Sequence, residues 1–229
     1  MLTSTKGVGF TPGAPTGHSA AGPTVTPTVY IVDDDPGARD SVQALVVTMG
    51  YRVASYGSAE DFLADYQLDQ PGCLITDNRM QGMSGLELQQ ELRNRGSSLP
   101  VIVITAYADT PLTVEAMRKG AITLLDKPCR EQQLWESIRE ALGLDRRLRE
   151  ARQAQVDRAG RFESLTEAER QVMELMIEGD PNKVIANKLE VSVRTVEARR
   201  HNVFLKTGTE SLAELVRLYM DYRRDLDEA

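Results

Sequence analysis

A chain of 229 residues with 41% hydrophobic residues and a net charge of −7 is long enough for two small domains, each with its own core. It has no apolar run that could span a membrane, and its two histidines, His18 and His201, argue against a His-ligated zinc site or a Ser-His-Asp or Cys-His machinery. Cys73 and Cys129 fall toward opposite edges of any sheet they share, too far apart to bridge, and two unpaired thiols suit a reducing cytoplasm.

The residues before Thr28 are rich in Thr, Gly, Pro and Ala and lack an apolar h-region, so 1–27 reads as a disordered tail and not a signal peptide. Val29-Tyr30-Ile31-Val32 is a first strand, ended by Asp33-Asp34-Asp35-Pro36. Pro36 opens a helix carrying Val42, Leu45, Val46 and Met49, and Gly50 stops it. Tyr51 to Ser55 is a second strand, and Ser58 with Asp61 starts a second helix. After the Pro71-Gly72 turn comes Leu74-Ile75-Thr76-Asp77, an apolar strand that ends in a carboxylate.

Ser84 and Glu87 form a capping box for a third helix with Leu86, Leu88 and Leu92 on its apolar face. Pro100 to Ile104 is a fourth strand, apolar on both faces and therefore interior and parallel, ending at Thr105. Thr110-Pro111 starts a fourth helix that Gly120 closes, and Ile122 to Leu125 is the fifth strand, followed by Asp126-Lys127-Pro128. Five strands alternating with helices predict a doubly wound α/β sheet of the flavodoxin-like kind over 28–130. In that order Asp33, Asp34, Asp77, Thr105 and Lys127 converge at the carboxyl edge, where such sheets bind ligands.

Clustered carboxylates need a counter-charge at neutral pH. Mg²⁺, or Mn²⁺ in its place, meets that need with one or two carboxylates while keeping waters that a phosphate can replace. Asp77 can then act as nucleophile toward a phosphoryl group, with Thr105 and Lys127 stabilising the transferred group by position and charge.

These residues resemble the receiver domain of two-component response regulators: Val-Asp-Asp at 32–34, Thr-Asp-x-Arg-Met at 76–80, Gly-Met-Ser-Gly at 82–85, Ile-Thr-Ala at 104–106 and Asp-Lys-Pro at 126–128. The resemblance implies that Asp77 is the phosphoacceptor, that Asp34 is a direct and Asp33 a water-mediated metal ligand, and that the Arg79 main-chain carbonyl also serves the metal. Two positions depart from the family. Gln81 stands where proline is common, and Leu124 replaces the aromatic switch residue, so an inward-swinging ring cannot report phosphorylation here.

From 131 to 163 the chain has no proline and dense mixed charge, with Leu134, Ile138 and Leu142 on a helical stripe. The fifth helix is expected to run past the receiver as a solvated linker, with Gly143 weakening but not ending it. Over 164–229 the pattern is four helices. Thr166 and Glu169 form a capping box, Gly179 ends the first helix, and Asp180-Pro181 begins the next, with Val184, Ile185 and Leu189 buried. Val191-Ser192-Val193 breaks to a longer helix that Gly208 closes, and the last helix carries Leu212, Leu215, Val216 and Tyr219.

Helix, short turn, helix is the helix-turn-helix plan. Val196 and Val203 face inward and Arg194, Arg199, Arg200 and His201 outward, as a helix entering a major groove requires. Leu165-Thr166-x-x-Glu169, Asn182-Lys183-x-Ile185-Ala186 and Ser192-x-Arg194-Thr195-Val196-Glu197 resemble the LuxR-type DNA-binding domain. A receiver plus this domain is similar to the NarL/FixJ family of response regulators.

That likeness implies a cytoplasmic transcription regulator, not an enzyme, with a sensor histidine kinase and double-stranded DNA as partners, homodimerisation on phosphorylation, and RNA polymerase as a further partner. It implies phosphate contacts by Arg194, Thr195, Arg199 and Arg200, base-edge contacts by Glu197, Ala198 and His201, and a dimer surface on the last helix, here assigned to Val216 and Tyr219. Glu190 takes the place of the usual turn glycine, and Arg199 that of the usual histidine. Two rivals are a regulator that binds DNA without phosphorylation and a haloacid-dehalogenase-like phosphohydrolase. The latter would want Asp-x-Asp-x-Thr/Val at the first strand, where this chain has Gly37 after Asp33-x-Asp35-x.

Overall fold

The computed structural model describes residues 26–106 and 110–227, and only the backbone of 110–112 and 115. Its five strands are β1 (Thr28–Val32), β2 (Arg52–Tyr56), β3 (Gly72–Asp77), β4 (Val101–Thr105) and β5 (Thr123–Asp126). They form one parallel sheet in the order β2-β1-β3-β4-β5, as the alternation of elements predicts. β1 therefore lies beside β3, with Val32 paired to Thr76, and Asp77 is paired to Ile104 of β4. This register brings the ends of β1, β3 and β4 out at one edge.

β3 and β4 are buried along their whole length because helices cover both sheet faces. Successive side chains alternate between two cores. Tyr30, Val32, Leu74 and Val103 face α2 (Ala59–Asp65), α3 (Gly85–Asn94) and α4 (Thr110–Arg118). Val29, Ile31, Ile75 and Ile102 face α1 (Pro36–Thr48) and the first turns of α5 (Glu131–Glu163), through Val46, Leu134 and Ile138. Each fully buried Leu or Ile contributes about 1.5–3 kcal/mol by leaving water.

The helix starts follow local chemistry. Asp35 accepts from the Gly37 N–H at 2.8 Å with Pro36 in the first turn, Ser58 accepts from the Asp61 N–H at 3.1 Å, and Ser84 and Glu87 close their reciprocal box. α4 begins at the expected Thr110-Pro111, whose side chains lie outside the described residues.

α5 is one helix of 33 residues, roughly 50 Å long at 1.5 Å per residue, and Gly143 does not interrupt it. Its start packs on the sheet, and Phe162 near its end is buried among α6 (Glu167–Ile177), α7 (Asn182–Lys188), α8 (Val193–Thr207) and α9 (Leu212–Asp227). Phe162 stacks on Tyr222 at 4.6 Å between ring centroids and meets Tyr219 edge-on at 5.9 Å. No helix among the described residues is long and apolar enough to cross a membrane.

Three local expectations are corrected. Pro181 itself is the N-cap of α7, because the Asp180 carboxylate turns away to pair with Lys188 at 2.6 Å. Val184 is exposed while Ile185 is fully buried, since α7 shows only one narrow face to the core. The linker is not wholly solvated: Asp145 is 2% exposed, because it is turned against the loop that enters β3.

Candidate functional site

At the carboxyl edge of the sheet one ammonium group joins two strands. Lys127 Nζ lies 2.6 Å from Asp33 Oδ2, just past β1, and 2.9 Å from Asp77 Oδ1, at the end of β3. Both carboxylates are buried. Burial alone would lower the Lys127 pKa, but hydrogen bonds and charge from Asp33 and Asp77 outweigh it and hold the ammonium above its ordinary value. The Lys127 N–H donates to the Thr105 carbonyl at 2.8 Å, which ties the turn after β5 to the end of β4, and Thr105 itself is buried.

The loop after β3 is shaped by acceptors on both sides. Asp77 Oδ2 accepts from the Arg79 N–H at 2.6 Å, and the Asn78 N–H donates to the Ile104 carbonyl at 3.0 Å. Asp34 Oδ2 accepts from the Gln81 N–H at 2.9 Å, and Glu60 Oε1 accepts from the Met83 N–H at 3.1 Å. A Cβ on Gly85 would stand 2.4 Å from the Asp77 carbonyl oxygen, so only glycine lets α3 start this close to the strand end. Leu124 is half-buried and packs against the core on the α3 face. Among the described residues no three acidic, histidine or cysteine side chains form one metal-sized group.

In the helical half, α7 and α8 meet at a tight turn in which the Val191 N–H donates to the Ala186 carbonyl at 3.0 Å. Glu190 takes the left-handed backbone shape there, with φ of 53°. Ser192 caps α8, accepting from the Thr195 N–H at 3.1 Å. Val196 and Val203 are buried, while Arg194, Glu197, Ala198 and His201 are exposed along one side. Thr195, Arg199 and Arg200 are half-buried, flanking that side, where the sequence pattern placed both arginines fully outward. Val216 and Tyr219 are also half-buried, and Tyr219 is engaged with Phe162; Met220, 63% exposed, is the more open apolar residue of α9.

Two family patterns cover these two halves. Residues 29–139 match the response regulator receiver domain, and residues 163–219 match the bacterial regulatory proteins of the luxR family. The chain is 42% identical over 191 residues to the transcriptional regulatory protein FixJ of Azorhizobium caulinodans, covering 83% of this chain and 90% of that one. The chain belongs to the NarL/FixJ family of response regulators.

A second relative of this regulator is the response regulator protein TodT of Pseudomonas putida, 37% identical over 190 residues, with 83% of this chain and 84% of that one covered. Among solved structures, the response regulator StyR superposes with a TM-score of 0.82 at 42% identity over 86% of this chain and all of that chain. Full-length FixJ from B. japonicum gives 0.52 at 36% identity, over 88% of this chain and 99% of that chain. The chain is thus a two-component response regulator and transcription regulator with a LuxR-type DNA-binding helix-turn-helix domain.

The sequence reading missed the partners of Asp145 and of Gln81. Asp145 and Arg149 are four residues apart on a helix, a spacing that usually marks a solvated pair. Nothing local says that this pair turns toward residues 69–72.

Proposed function

We propose that this regulator is switched by phosphorylation of Asp77 by a partner histidine kinase, and that the switched form binds a two-fold DNA site as a homodimer. One observation carries the reading. The Asp77 carboxylate lies at the strand end beside Lys127, which also engages Asp33. Two buried carboxylates facing one ammonium leave excess negative charge, and their all-oxygen chemistry fits a hard divalent ion. Asp33, Asp34, Asp77 and the Arg79 main-chain carbonyl would hold Mg²⁺ or Mn²⁺. Bound there, such an ion neutralises charge on the carboxylates and on the incoming phosphoryl oxygens.

An Asp77 oxygen then forms the bond to phosphorus as the bond from phosphorus to the donor nitrogen breaks, giving an acyl phosphate. Lys127 shifts from bridging two carboxylates to binding phosphoryl oxygen, and the Thr105 hydroxyl offers a further hydrogen bond. The new group carries about −2 charge, enough to bias a two-state element whose states differ by a few kcal/mol. Leu124, at the position where the resemblance places an aromatic switch, is a half-buried aliphatic side chain packed against the core. The change is therefore reported by repacking of α4 and β5 around Thr105.

At the other end of the molecule, Arg194, Thr195, Arg199 and Arg200 approach phosphates while Glu197, Ala198 and His201 meet base edges. The net charge of −7 makes the attraction local to α8 and favours two copies binding together. Val216 and Tyr219 of α9 are the residues proposed for that pairing.

The test is phosphorylation with a small acyl-phosphate donor and Mg²⁺, read by intact mass and oligomeric state. One added phosphoryl group on wild type and none on Asp77→Ala, with dimer appearing, is the expected result. A second reading, DNA binding without phosphorylation, draws on Leu124 and Gln81. Unlabelled wild type, or Asp77→Ala with unchanged DNA binding and promoter output, would favour it.

A further inference from the structure

Three carboxylates leave the same sheet edge, yet only two of them meet. Asp33 and Asp77 share Lys127, whereas Asp34 Oδ2 is hydrogen-bonded 2.9 Å away to the main-chain N–H of Gln81, across 47 residues. Among the described residues no three acidic side chains form one metal-sized group. The loop that holds Asp34 is itself anchored, by Glu60 at the Met83 N–H and by the Ser84–Glu87 capping box. The same loop carries Asn78 Oδ1, which is buried without a hydrogen-bond partner among the described residues.

We propose that the Gln81 main-chain N–H is a latch that holds Asp34 apart from Asp33 and Asp77, and that a divalent cation must release it to be gripped by all three. The proposal rests on the metal-dependent reading above. It belongs to this chain because residue 81 is Gln: a proline there has no N–H to donate. A hydrogen bond to an ionised acceptor has to be given up before the third ligand arrives, so apparent metal affinity is reduced by the fraction of molecules already unlatched. For a bond at this exposed position the reduction is on the order of three- to tenfold, at the low end of what such bonds contribute.

The test uses the full chain, isotope-labelled, with amide exchange at Gln81 followed by NMR as Mg²⁺ is added, and Mn²⁺ affinity measured from the free-ion paramagnetic signal. The Gln81 N–H is expected to be protected from exchange without metal and to lose that protection at saturation. Gln81→Pro should bind Mn²⁺ about three- to tenfold more tightly, while Gln81→Ala, which keeps the N–H, should match wild type. Protection that persists at saturating Mg²⁺, or equal affinity changes in both variants, overturns the latch and leaves the metal site standing. Wild type that binds neither ion overturns the metal-dependent reading together with the latch. The exchange measurement is made on wild type, so a poorly folded proline variant does not blunt it.

Discussion

The Gly72 N–H donates to Asp145 Oδ2 at 3.1 Å although the residues are 73 positions apart. Gly72 opens the strand that Asp77 ends, so β3 is held by the linker helix at one end and by Lys127 at the other. Arg149 Nε reaches both Asp145 oxygens at 2.9 Å, its other nitrogens meet the carbonyls of Asp69 and Gln70, and Arg152 pairs with Asp69. Asp145→Ala leaves Arg149 and the Gly72 N–H without their shared acceptor, and should lower stability by about 2–4 kcal/mol. Urea unfolding measures that loss. Spin labels on the receiver and on α9 should report a broader distance distribution, and an unchanged distribution would mean that the clamp does not set the linker's direction.

Gly85→Ala tests the close approach behind Asp77. Its Cβ would meet the Asp77 carbonyl oxygen at 2.4 Å, whereas a Cβ on Gly143, inside α5, meets nothing nearer than Arg147 Nη1 at 3.9 Å. Gly85→Ala should destabilise by about 1–3 kcal/mol and slow phosphorylation at least tenfold by displacing the strand end, on the order expected for overpacking and misplacement. Gly143→Ala should stabilise by about 0.5–1 kcal/mol, since an unstrained helix interior prefers alanine. Denaturation midpoints and labelling rates on the two variants decide the matter.

The buried Glu169 carboxylate pairs with Lys206 at 2.6 Å. The Lys206 hydrogen bond, helped by the Thr166 N–H and hydroxyl, outweighs desolvation and holds its pKa at about 2. The folded value is below the unfolded one, so its stabilisation is full above about pH 4.5 and is lost as pH falls toward about 2. The unfolding midpoint of the helical half should therefore drop across that interval. Glu169→Gln should be less stable at neutral pH and show a flatter acid slope; parallel acid profiles for the two proteins would contradict the assignment.

Glu190 occupies the helix-turn-helix turn with φ of 53°, a shape that disfavours a side chain. Glu190→Gly should relieve roughly 1 kcal/mol of that strain, partly offset by the greater freedom of glycine in the unfolded chain. A small rise in the melting temperature of the helical half, with DNA affinity unchanged, is the expected result.

DNA contact by α8 has its own signature. Arg194→Ala removes an exposed cation from the first turn of the helix and should weaken binding about equally on all sequences, lowering the salt slope by about one. His201→Ala should instead relax preference at one base position. Salt titrations on specific and random duplexes separate the two behaviours.

The elements of this regulator were legible wherever the signal is local. Apolar runs of strand length, capping residues such as Ser84 and Thr166, and stop glycines such as Gly208 act within a few residues, and the structure has them at work. The alternation of strands and helices pointed to a doubly wound parallel sheet of the flavodoxin-like kind, one of the orders open to right-handed connections between parallel strands. In an all-parallel sheet the C-terminal ends of all strands lie at one edge, so Asp33, Asp77, Thr105 and Lys127 had to share it.

What no local rule decides is which oxygen meets which donor across the fold. The charges of the linker read as solvated until α5 turned Asp145 toward Gly72, and Gln81 read as a missing proline until its N–H met Asp34. Val184 and Ile185 are neighbours of equal apolar character, and only the packing of α7 on the core separates them. Sequence by itself determined the elements, their order and the edge where the chemistry sits, since these follow from short-range periodicity and chain connectivity. Tertiary structure decided the partners of the charged groups, because a carboxylate's partner depends on distances set by the packing of elements far apart in the chain.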